Sequence, residues 1–416
     1  MSNAATYPRA LVIGAGPAGA VAATVLARAL GPGSTRIVDH AVWPRSKVCG
    51  CCLGEAGIDA LRRLNAAPED LLRAAQPLTH VHVLASKRRV TLPHDGAVAI
   101  DRLRLDAALL DIARGAGAIF SDRVSARVLT REHSRWRVRL STPDAPPTEH
   151  DYDVVIVADG LSGTSLAGLP SFTPTIARRS WIGVGTIIPA RTLTPSSSSF
   201  GAPPGGVIAM HLARHGYVGL VRLSEGDLAI GAALEPNAAR AGCGPLNLIN
   251  AILRSCDAPD LPPTLDGDAR LAGTGLLTRS RRRVALPGLF VVGDSAGYVE
   301  PFTGEGMTWA IISGSHAARL AAELLAGDAS RASFALAAER WTRDRTRLIQ
   351  RRQRACRAIR SLLRRPMMTH AALEAVNRIG LARSTAHWIC RSLRAPYPTV
   401  PIHSLERRAA GTEAGT

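Results

Sequence analysis

Lysine is nearly absent from this basic chain. Only Lys47 and Lys87 occur among 51 basic residues, against 33 acidic ones, and the formal net charge is +18. Such a charge is typical of proteins that bind nucleic acids. However, a GC-rich genome produces the same arginine bias, and no nucleic-acid-binding motif accompanies it. We therefore expect no nucleic-acid partner, whereas an anionic substrate, NADPH or a lipid headgroup would suit the positive field.

The chain also lacks an uninterrupted apolar span, and we expect no secretory leader. Its most apolar stretch, residues 10–30, is broken by glycines, Pro17 and Arg28, so it predicts no transmembrane helix. The seven cysteines are odd in number, which fits a reduced cytoplasmic setting. Cys49, Cys51 and Cys52 lack the spacing of zinc ligands, so we predict no metal site.

The 416 residues predict two or three domains. Ala10–Ile13 is a short apolar run that predicts a strand, Ala18–Leu30 has the composition of a buried helix, and Arg36–Asp39 predicts a second strand. Between strand and helix lies a glycine turn that permits close approach of a pyrophosphate, and the helix N-terminus stabilises its charge. Asp39, at the end of the second strand, would accept hydrogen bonds from a ribose. Strand, glycine turn, helix and acid together predict dinucleotide binding. The residues concerned are Gly14, Gly16, Pro17, Ala18, Gly19 and Asp39.

Two later segments repeat the pattern of a buried strand followed by a polar turn. The run 153–158 precedes Asp159-Gly160, and the run 289–292 precedes Gly293-Asp294. With Arg102 before a predicted helix, residues 8–325 resemble the p-hydroxybenzoate hydroxylase-like flavoproteins. The resemblance implies FAD, with Asp294 on ribityl or ribose hydroxyls and Arg102 along the cofactor. Simpler alternatives are a helix cap for Asp294 and an ion pair with Asp106 for Arg102.

The segment after Asp294 opens another predicted helix, so its amides would face the carbonyl end of the flavin and stabilise negative charge there. The residues concerned are Pro301, Gly304, Glu305, Gly306 and Met307. The segment 44–53, with Arg45, Lys47 and Cys49, resembles the geranylgeranyl reductase branch, where it passes close to the flavin ring. Cys49 is then a candidate proton donor, although a cysteine is often only a small buried hydrophobe.

Between residues 182 and 233 the pattern favours an antiparallel sheet that would roof a substrate pocket. His211 and Tyr217 are its candidate catalytic side chains, although a histidine at a sheet edge is more often solvated. The scarcity of charge in this sheet favours an apolar or aromatic substrate, including a lipid-like one. Its sequence 216–221 lacks the Trp-x-Trp-x-Ile-Pro motif of flavin-dependent halogenases, so we do not expect halogenation.

The predicted fold class is α/β, with a Rossmann-like FAD-binding domain, an inserted antiparallel-sheet substrate domain and a C-terminal helical segment. The FAD domain would comprise 1–75, 96–165 and 275–330, the substrate domain 76–95 and 166–274, and the helical segment 331–416. That tail carries eleven arginines between positions 340 and 365. They favour a solvated helix packed on the FAD domain, with peripheral contact to an anionic membrane as the alternative.

These features predict an FAD-dependent oxidoreductase. Our first expectation is an NAD(P)H-dependent monooxygenase that hydroxylates an apolar or aromatic metabolite through a C4a-hydroperoxyflavin. The alternative is a geranylgeranyl reductase-like enzyme acting on isoprenoid double bonds, and a non-enzymatic alternative is a flavin-bound sensor or binding protein. Since only one glycine motif is present, NADPH or NADH would be a transient electron donor. The oligomeric state cannot be predicted.

Overall fold

The computed structural model describes residues 8–192, 202–242, 244–261, 270–300, 302, 304–327 and 330–378. Its strands are β1 Ala10–Ile13, β2 Thr35–Val38, β3 Cys52–Leu53, β4 Gln76–Ala85, β5 Arg88–Ala99, β6 Ile119–Ser121, β7 Ser125–Glu132, β8 Arg135–Thr142, β9 Ala145–Tyr152, β10 Val154–Val157, β11 Pro174–Ile176, β12 Ile182–Ile188, β13 Val207–Ala213, β14 Gly216–Arg222, β15 Leu228–Leu234, β16 Ala272–Leu276, β17 Arg279–Arg281, β18 Ala285–Leu286, β19 Leu289–Val291 and β20 Gly297–Tyr298. Its α-helices are α1 Pro17–Leu30, α2 Glu55–Arg63, α3 Glu69–Ala74, α4 Arg102–Gly115, α5 Pro236–Ala241, α6 Pro245–Arg254, α7 Gly306–Ala326, α8 Arg331–Arg345, α9 Arg351–Leu363 and α10 Pro366–Arg378.

The first of two large sheets has six strands in the described part of the chain and is mostly parallel. Within the described residues its order is β18-β19-β10-β1-β2-β6, and only the β18–β19 pair is antiparallel. All residues of β1 and β10 are buried, as expected for strands covered on both faces. Helices α1 and α7 lie so close together that a Cβ at Gly314 would fall 2.1 Å from the Ala18 carbonyl oxygen. The glycine therefore permits this packing.

The second large sheet has eight described strands and is mostly antiparallel. In the described segments its order is β16-β12-β15-β14-β13-β4-β5-β3, antiparallel except for the β13–β4 pair. The antiparallel sheet predicted between residues 182 and 233 is therefore confirmed. Strand β3 joins this sheet although it lies within residues 1–75, which we assigned to the other domain. The domain boundaries stay predictions.

Strand β9 was not predicted. It pairs with β8 at the edge of a sheet ordered β7-β8-β9 and contains Pro146 and Pro147. Proline cannot donate to a strand ladder, so a proline-containing segment predicts a loop, but an edge strand with one unpaired side tolerates it. The short sheet β11-β17-β20 was also missed. Both misses concern edge or very short strands.

The tail is helical as far as it is described. Helix α8 continues through a π-helical segment, Thr346–Gln350, into α9, and α10 follows. None of the helices in the described segments combines the length and apolar character of a membrane-spanning helix. The predicted fold class, an α/β cofactor fold with an antiparallel sheet and C-terminal helices, is confirmed.

Candidate active site

The turn between β1 and α1 has the shape that a phosphate group requires. Gly14 has a φ of +100°, and a Cβ there would lie 2.4 Å from the Ala158 carbonyl oxygen. A Cβ at Gly19 would lie 1.8 Å from the Gly14 oxygen. Gly16 occupies the N-cap of α1 without a side-chain capping bond, so first-turn N–H groups remain for an anion. Both close approaches exclude any larger residue.

Asp39, at the end of β2, is buried and anchors this turn. Its carboxylate accepts hydrogen bonds from the Ala15 amide at 2.9 Å and from the Ala41 amide at 3.0 Å. The predicted acid therefore lies beside the glycine turn. Pro17 and Ala18 begin α1 and line the same cavity as Gly14 and Gly16.

Two cations approach the turn from the segment after β2. The Arg45 guanidinium lies 3.5 Å from Asp39 and from Asp106, stacks on Trp43, and would lie 3.5 Å from a Cβ at Gly16. Lys47 would lie 2.7 Å from a Cβ at Gly160, whose φ is +74°. Burial lowers the pKa of Lys47, and the charge of Asp294 opposes this shift.

Asp159 lies at the end of β10 and is held by hydroxyl groups. It accepts a bond of 2.6 Å from the Ser165 hydroxyl and one of 2.8 Å from the Ser295 hydroxyl. The Ser295 oxygen also accepts a bond from the Gly160 amide at 2.7 Å. This network joins the ends of β10 and β19, so Asp159 positions the turn as well as lining the cavity.

Asp294 follows β19 and lines the cavity beside three cations. Burial raises the pKa of its carboxyl group, whereas the charges of Lys47, Arg102 and Arg279 lower it. Gly293, with a φ of +57°, places the turn against α1, where a Cβ would lie 3.1 Å from the Ala18 Cβ. The carboxylate is thus positioned to accept bonds from hydroxyl groups of a ligand.

Arg102 begins α4 at the cavity wall. It donates two bonds of 2.8 Å to the Asp106 carboxylate, and it also lines the cavity. Its positive charge also helps to lower the pKa of Cys49. The ion pair therefore does not exclude a place for Arg102 along the cofactor, which stays a prediction.

Cys49 lies in the cavity wall next to two other free cysteines. Its sulfur accepts a bond from the Cys51 amide at 3.3 Å. A hydrogen bond from the Cys51 side chain and the nearby Arg102 charge lower the pKa of Cys49 to about 6, although burial opposes them. Burial raises the pKa of Cys52 to about 12. Cys49 is thus an ionisable thiol of the cavity, whereas Cys52 stays protonated at neutral pH.

The segment before α7 completes the charged end of the cavity. Gly304 has a φ of +71°, and Glu305 occupies the N-cap of the helix. Gly304, Glu305, Gly306 and Met307 all line the cavity. The N-terminus of α7 therefore faces the cavity, and Pro301 lies outside the described residues.

The cavity has a volume of about 530 Å³ and extends from these groups to the larger sheet. Alternate residues of β4 and β13 face it, as strand geometry requires. Most side chains of this wall are apolar, among them Val81, Val83, Leu92, Ile208, Met210 and Val221, whereas His94, Asp95 and Thr274 of the same sheet also line the cavity. Ile359 of α9 also lines the cavity, and nothing in the arginine-rich tail sequence predicted it.

His211 and Tyr217 lie on opposite faces of the sheet. Tyr217 lines the cavity and contacts Phe302 edge to face, with ring centroids 5.6 Å apart. His211 is absent from the cavity wall and pairs in register with Val218, which packs in the core on the other face. It is 2% exposed in a central strand, and burial lowers its pKa to about 4. The expectations of a substrate contact and of a solvated edge residue are both wrong.

A buried ion cluster near Trp181 and Tyr217 was not predicted. Glu300 is 1% exposed and accepts bonds from the Trp181 amide and from the Thr278 hydroxyl, each at 3.2 Å. Arg364, which follows α9, also donates to it, and Arg360 of α9 lies 3.7 Å away. These tail arginines therefore pair internally rather than face solvent. No sequence motif marks Glu300 or Arg279.

No family model matches the sequence. A curated relative, the menaquinone reductase of Mycolicibacterium smegmatis, is 29% identical over 331 residues, which cover 76% of this chain and 75% of that protein. A solved flavoprotein/dehydrogenase from Cytophaga hutchinsonii has a TM-score of 0.71 at 16% identity and covers 98% of this chain and 100% of its own.

Two further solved structures share the fold. A geranylgeranyl bacteriochlorophyll reductase-like protein from Thermoplasma acidophilum has a TM-score of 0.68 at 18% identity, over 98% of this chain and 96% of that one. A flavin-dependent brominase has a TM-score of 0.72 at 14% identity, over 99% and 100%. At these identities the structures show the fold alone.

The chain therefore has the fold of the solved flavoproteins, as the sequence predicted, and it is similar in sequence to a curated reductase.

Proposed function

We propose that this protein is an FAD-dependent reductase that saturates carbon–carbon double bonds of an isoprenoid-type, largely apolar substrate. The proposal rests on one observation. The same cavity is lined by the glycine turn before α1, by the thiol of Cys49 and by a largely apolar wall of the larger sheet. The relative named as a menaquinone reductase supports a reductive reaction on a lipid-like molecule.

The residues at the charged end fit FAD. The amides of the α1 N-terminus and Arg45 would hold the pyrophosphate, Asp39 a ribose, and Asp294 the ribityl hydroxyls. The close approaches at Gly14 and Gly19 leave this space free of side chains. When bound, FAD supplies hydride transfer to a carbon atom.

The N-terminus of α7 would stabilise negative charge at the carbonyl end of the flavin ring, because aligned amides and the helix dipole face that end of the cavity. Gly304, with its φ of +71°, permits the turn of the backbone before this helix. The apolar wall would orient the substrate and exclude water.

Reduction of a double bond also requires a proton. Cys49 is our candidate donor because its sulfur lines the cavity. Its pKa of about 6 means that the thiol carries its proton below that pH and loses it above. If Cys49 is the donor, turnover falls as pH rises through about 6, and Cys49→Ser removes this dependence.

NADPH or NADH would reduce the flavin transiently. A lipid-like substrate would suit peripheral contact with an anionic membrane, and the exposed side chains of Met367 and Met368 lie beside Arg365 in the tail. Vesicle sedimentation with anionic and with neutral lipids tests this contact. Equal sedimentation with both would count against it.

Hydroxylation of an aromatic metabolite is the second candidate. Three aromatic side chains line the cavity, namely Tyr217, Tyr298 and Phe302. Aromatic rings pack favourably against one another, so this part of the wall would suit a planar aromatic substrate.

Anaerobic turnover separates the two reactions. The protein is incubated with FAD, NADPH and either a prenylated quinone or an aromatic polyketide, with and without oxygen, and the products are analysed by mass spectrometry. The proposal expects a gain of two hydrogens without oxygen. An oxygen atom gained only in air would replace it with the second candidate, and failure of both substrates to change would count against both.

A further inference from the structure

Cys49 and Cys51 are held next to each other by the fold of their segment. One glycine separates them, and the Cys51 amide donates to the Cys49 sulfur at 3.3 Å. Cys51 has a φ of +55°, which turns the chain back toward Cys49. The Cys51 sulfur in turn donates to the Cys49 carbonyl oxygen at 3.9 Å. Each sulfur is therefore hydrogen-bonded to the backbone of the other cysteine.

The segment that carries both thiols is packed directly on the larger sheet. A Cβ at Gly231 of β15 would lie 3.2 Å from the Gly50 Cα. The two glycines allow the backbones to come into contact, so the bend between Cys49 and Cys51 packs against strand β15. A disulfide joins Cα atoms about 4.4–6.8 Å apart, and residues separated by one residue in a bent chain fall within that reach.

The two thiols differ in access. Cys49 is half-buried and lines the cavity, whereas Cys51 is 2% exposed and does not line it. A small oxidant that enters the cavity meets Cys49 first. Cys51 needs no access of its own, because its reaction with a modified Cys49 is intramolecular.

We propose that Cys49 and Cys51 form a redox-active dithiol that closes to a disulfide by exchange with low-molecular-weight disulfides of the glutathione type. The Cys49 thiolate attacks the disulfide, forms a mixed disulfide and releases one thiolate. The Cys51 sulfur then displaces the second thiol and passes its proton to it. One disulfide is reduced to two thiols, and one sulfur–sulfur bond forms in the protein.

Two features favour Cys49 as the attacking sulfur, namely its position in the cavity wall and the nearby charge of Arg102. Cations near a thiol increase its thiolate fraction. Closure of the disulfide consumes the Cys49 thiol in the cavity, so oxidation would silence any reaction that needs that thiol. The dithiol itself does not depend on the proposed reductase activity.

The test uses the full-length protein with a Cys52→Ser background, so that the peptide contains only the two sulfurs in question. The protein is equilibrated in reduced and oxidised glutathione at graded ratios, quenched with acid, and analysed as non-reduced peptides by mass spectrometry. We expect the 49–51 peptide to become lighter by two hydrogens. Circular dichroism confirms that each variant is folded.

Single variants separate the two steps. In Cys51→Ser we expect glutathione to accumulate on Cys49, and in Cys49→Ser the loss of free thiol slows by about tenfold. Glutathione that stays on Cys49 while Cys51 is intact would overturn the proposal, as would unreacted thiols at every ratio. Because the readout is peptide mass, loss of FAD or of activity does not affect it.

Discussion

The two ends of the cavity are built by different means. The charged end gathers side chains from turns after β1, β2, β10 and β19, where glycine and acidic residues recur at fixed places. The sheet end takes alternate side chains from several strands, none of which is special by itself. A turn that must admit a phosphate restricts residue type, whereas an apolar wall requires only size and alternation.

The larger sheet shows a second contrast, between its cavity face and its core face. Tyr217 and His211 belong to neighbouring strands, yet Tyr217 faces the cavity and His211 faces the core on the other side. The strand pairing places His211 opposite Val218, one residue beyond Tyr217. Because side chains alternate, a shift of one residue exchanges cavity for core. Polarity alone therefore does not identify a substrate contact in a sheet.

Removal of the Asp294 carboxylate should have the largest effect at the charged end. Asp294→Ala would remove the negative charge near Lys47 and the expected acceptor of the ligand hydroxyls, so we expect FAD to bind about a hundredfold more weakly. Flavin absorbance of the purified protein and a binding titration measure this. Asp111→Ala changes an acid that is 69% exposed and should retain full loading. Full loading of Asp294→Ala would contradict the assignment of this end of the cavity.

A substitution in the ion cluster around Glu300 tests whether these buried charges stabilise the protein near the sheet end of the cavity. Arg364→Met would leave Glu300, 1% exposed, with Arg360 as its remaining nearby cation among the described residues. A broken buried pair costs about 3–5 kcal/mol of unfolding free energy. Denaturant unfolding measures the loss. The adjacent, exposed Arg365→Met should change stability by about 0.5 kcal/mol at most, and equal losses for both variants would deny the cluster its structural role.

Filling the apolar end should affect substrate more than cofactor. Ile208→Trp places an indole in the cavity, and we expect KM for an apolar substrate to rise about tenfold while FAD content stays unchanged. Steady-state kinetics and flavin absorbance provide the two readings. Leu336→Trp, at a position 65% exposed, is the matched control. A parallel loss of FAD would mean that the two ends of the cavity are not separable.

The sequence predicted the charged end well because its turns admit few residue types. Gly14, Asp39 and Asp294 lie where the motifs placed them. Glu300 and its arginine partners could not be predicted, since their pairing joins segments distant in sequence. A charge-rich tail gives no sign of which arginines turn inward, and the position of His211 depends on a strand register that composition does not fix.

Cys49 lies where the two ends meet, and its titration gives the finest test of the comparison. The bond from Cys51 and the Arg102 charge lower its pKa to about 6 against the effect of burial, whereas an ordinary cysteine titrates near about 8.5. Only the thiolate alkylates, so the iodoacetamide rate at Cys49 should rise with pH and reach half its maximum near pH 6. Peptide mass spectrometry measures this rate. Cys51→Ala removes the first cause and should move the midpoint upward. An ordinary midpoint in the parent protein would mean that the charged end does not extend to this thiol.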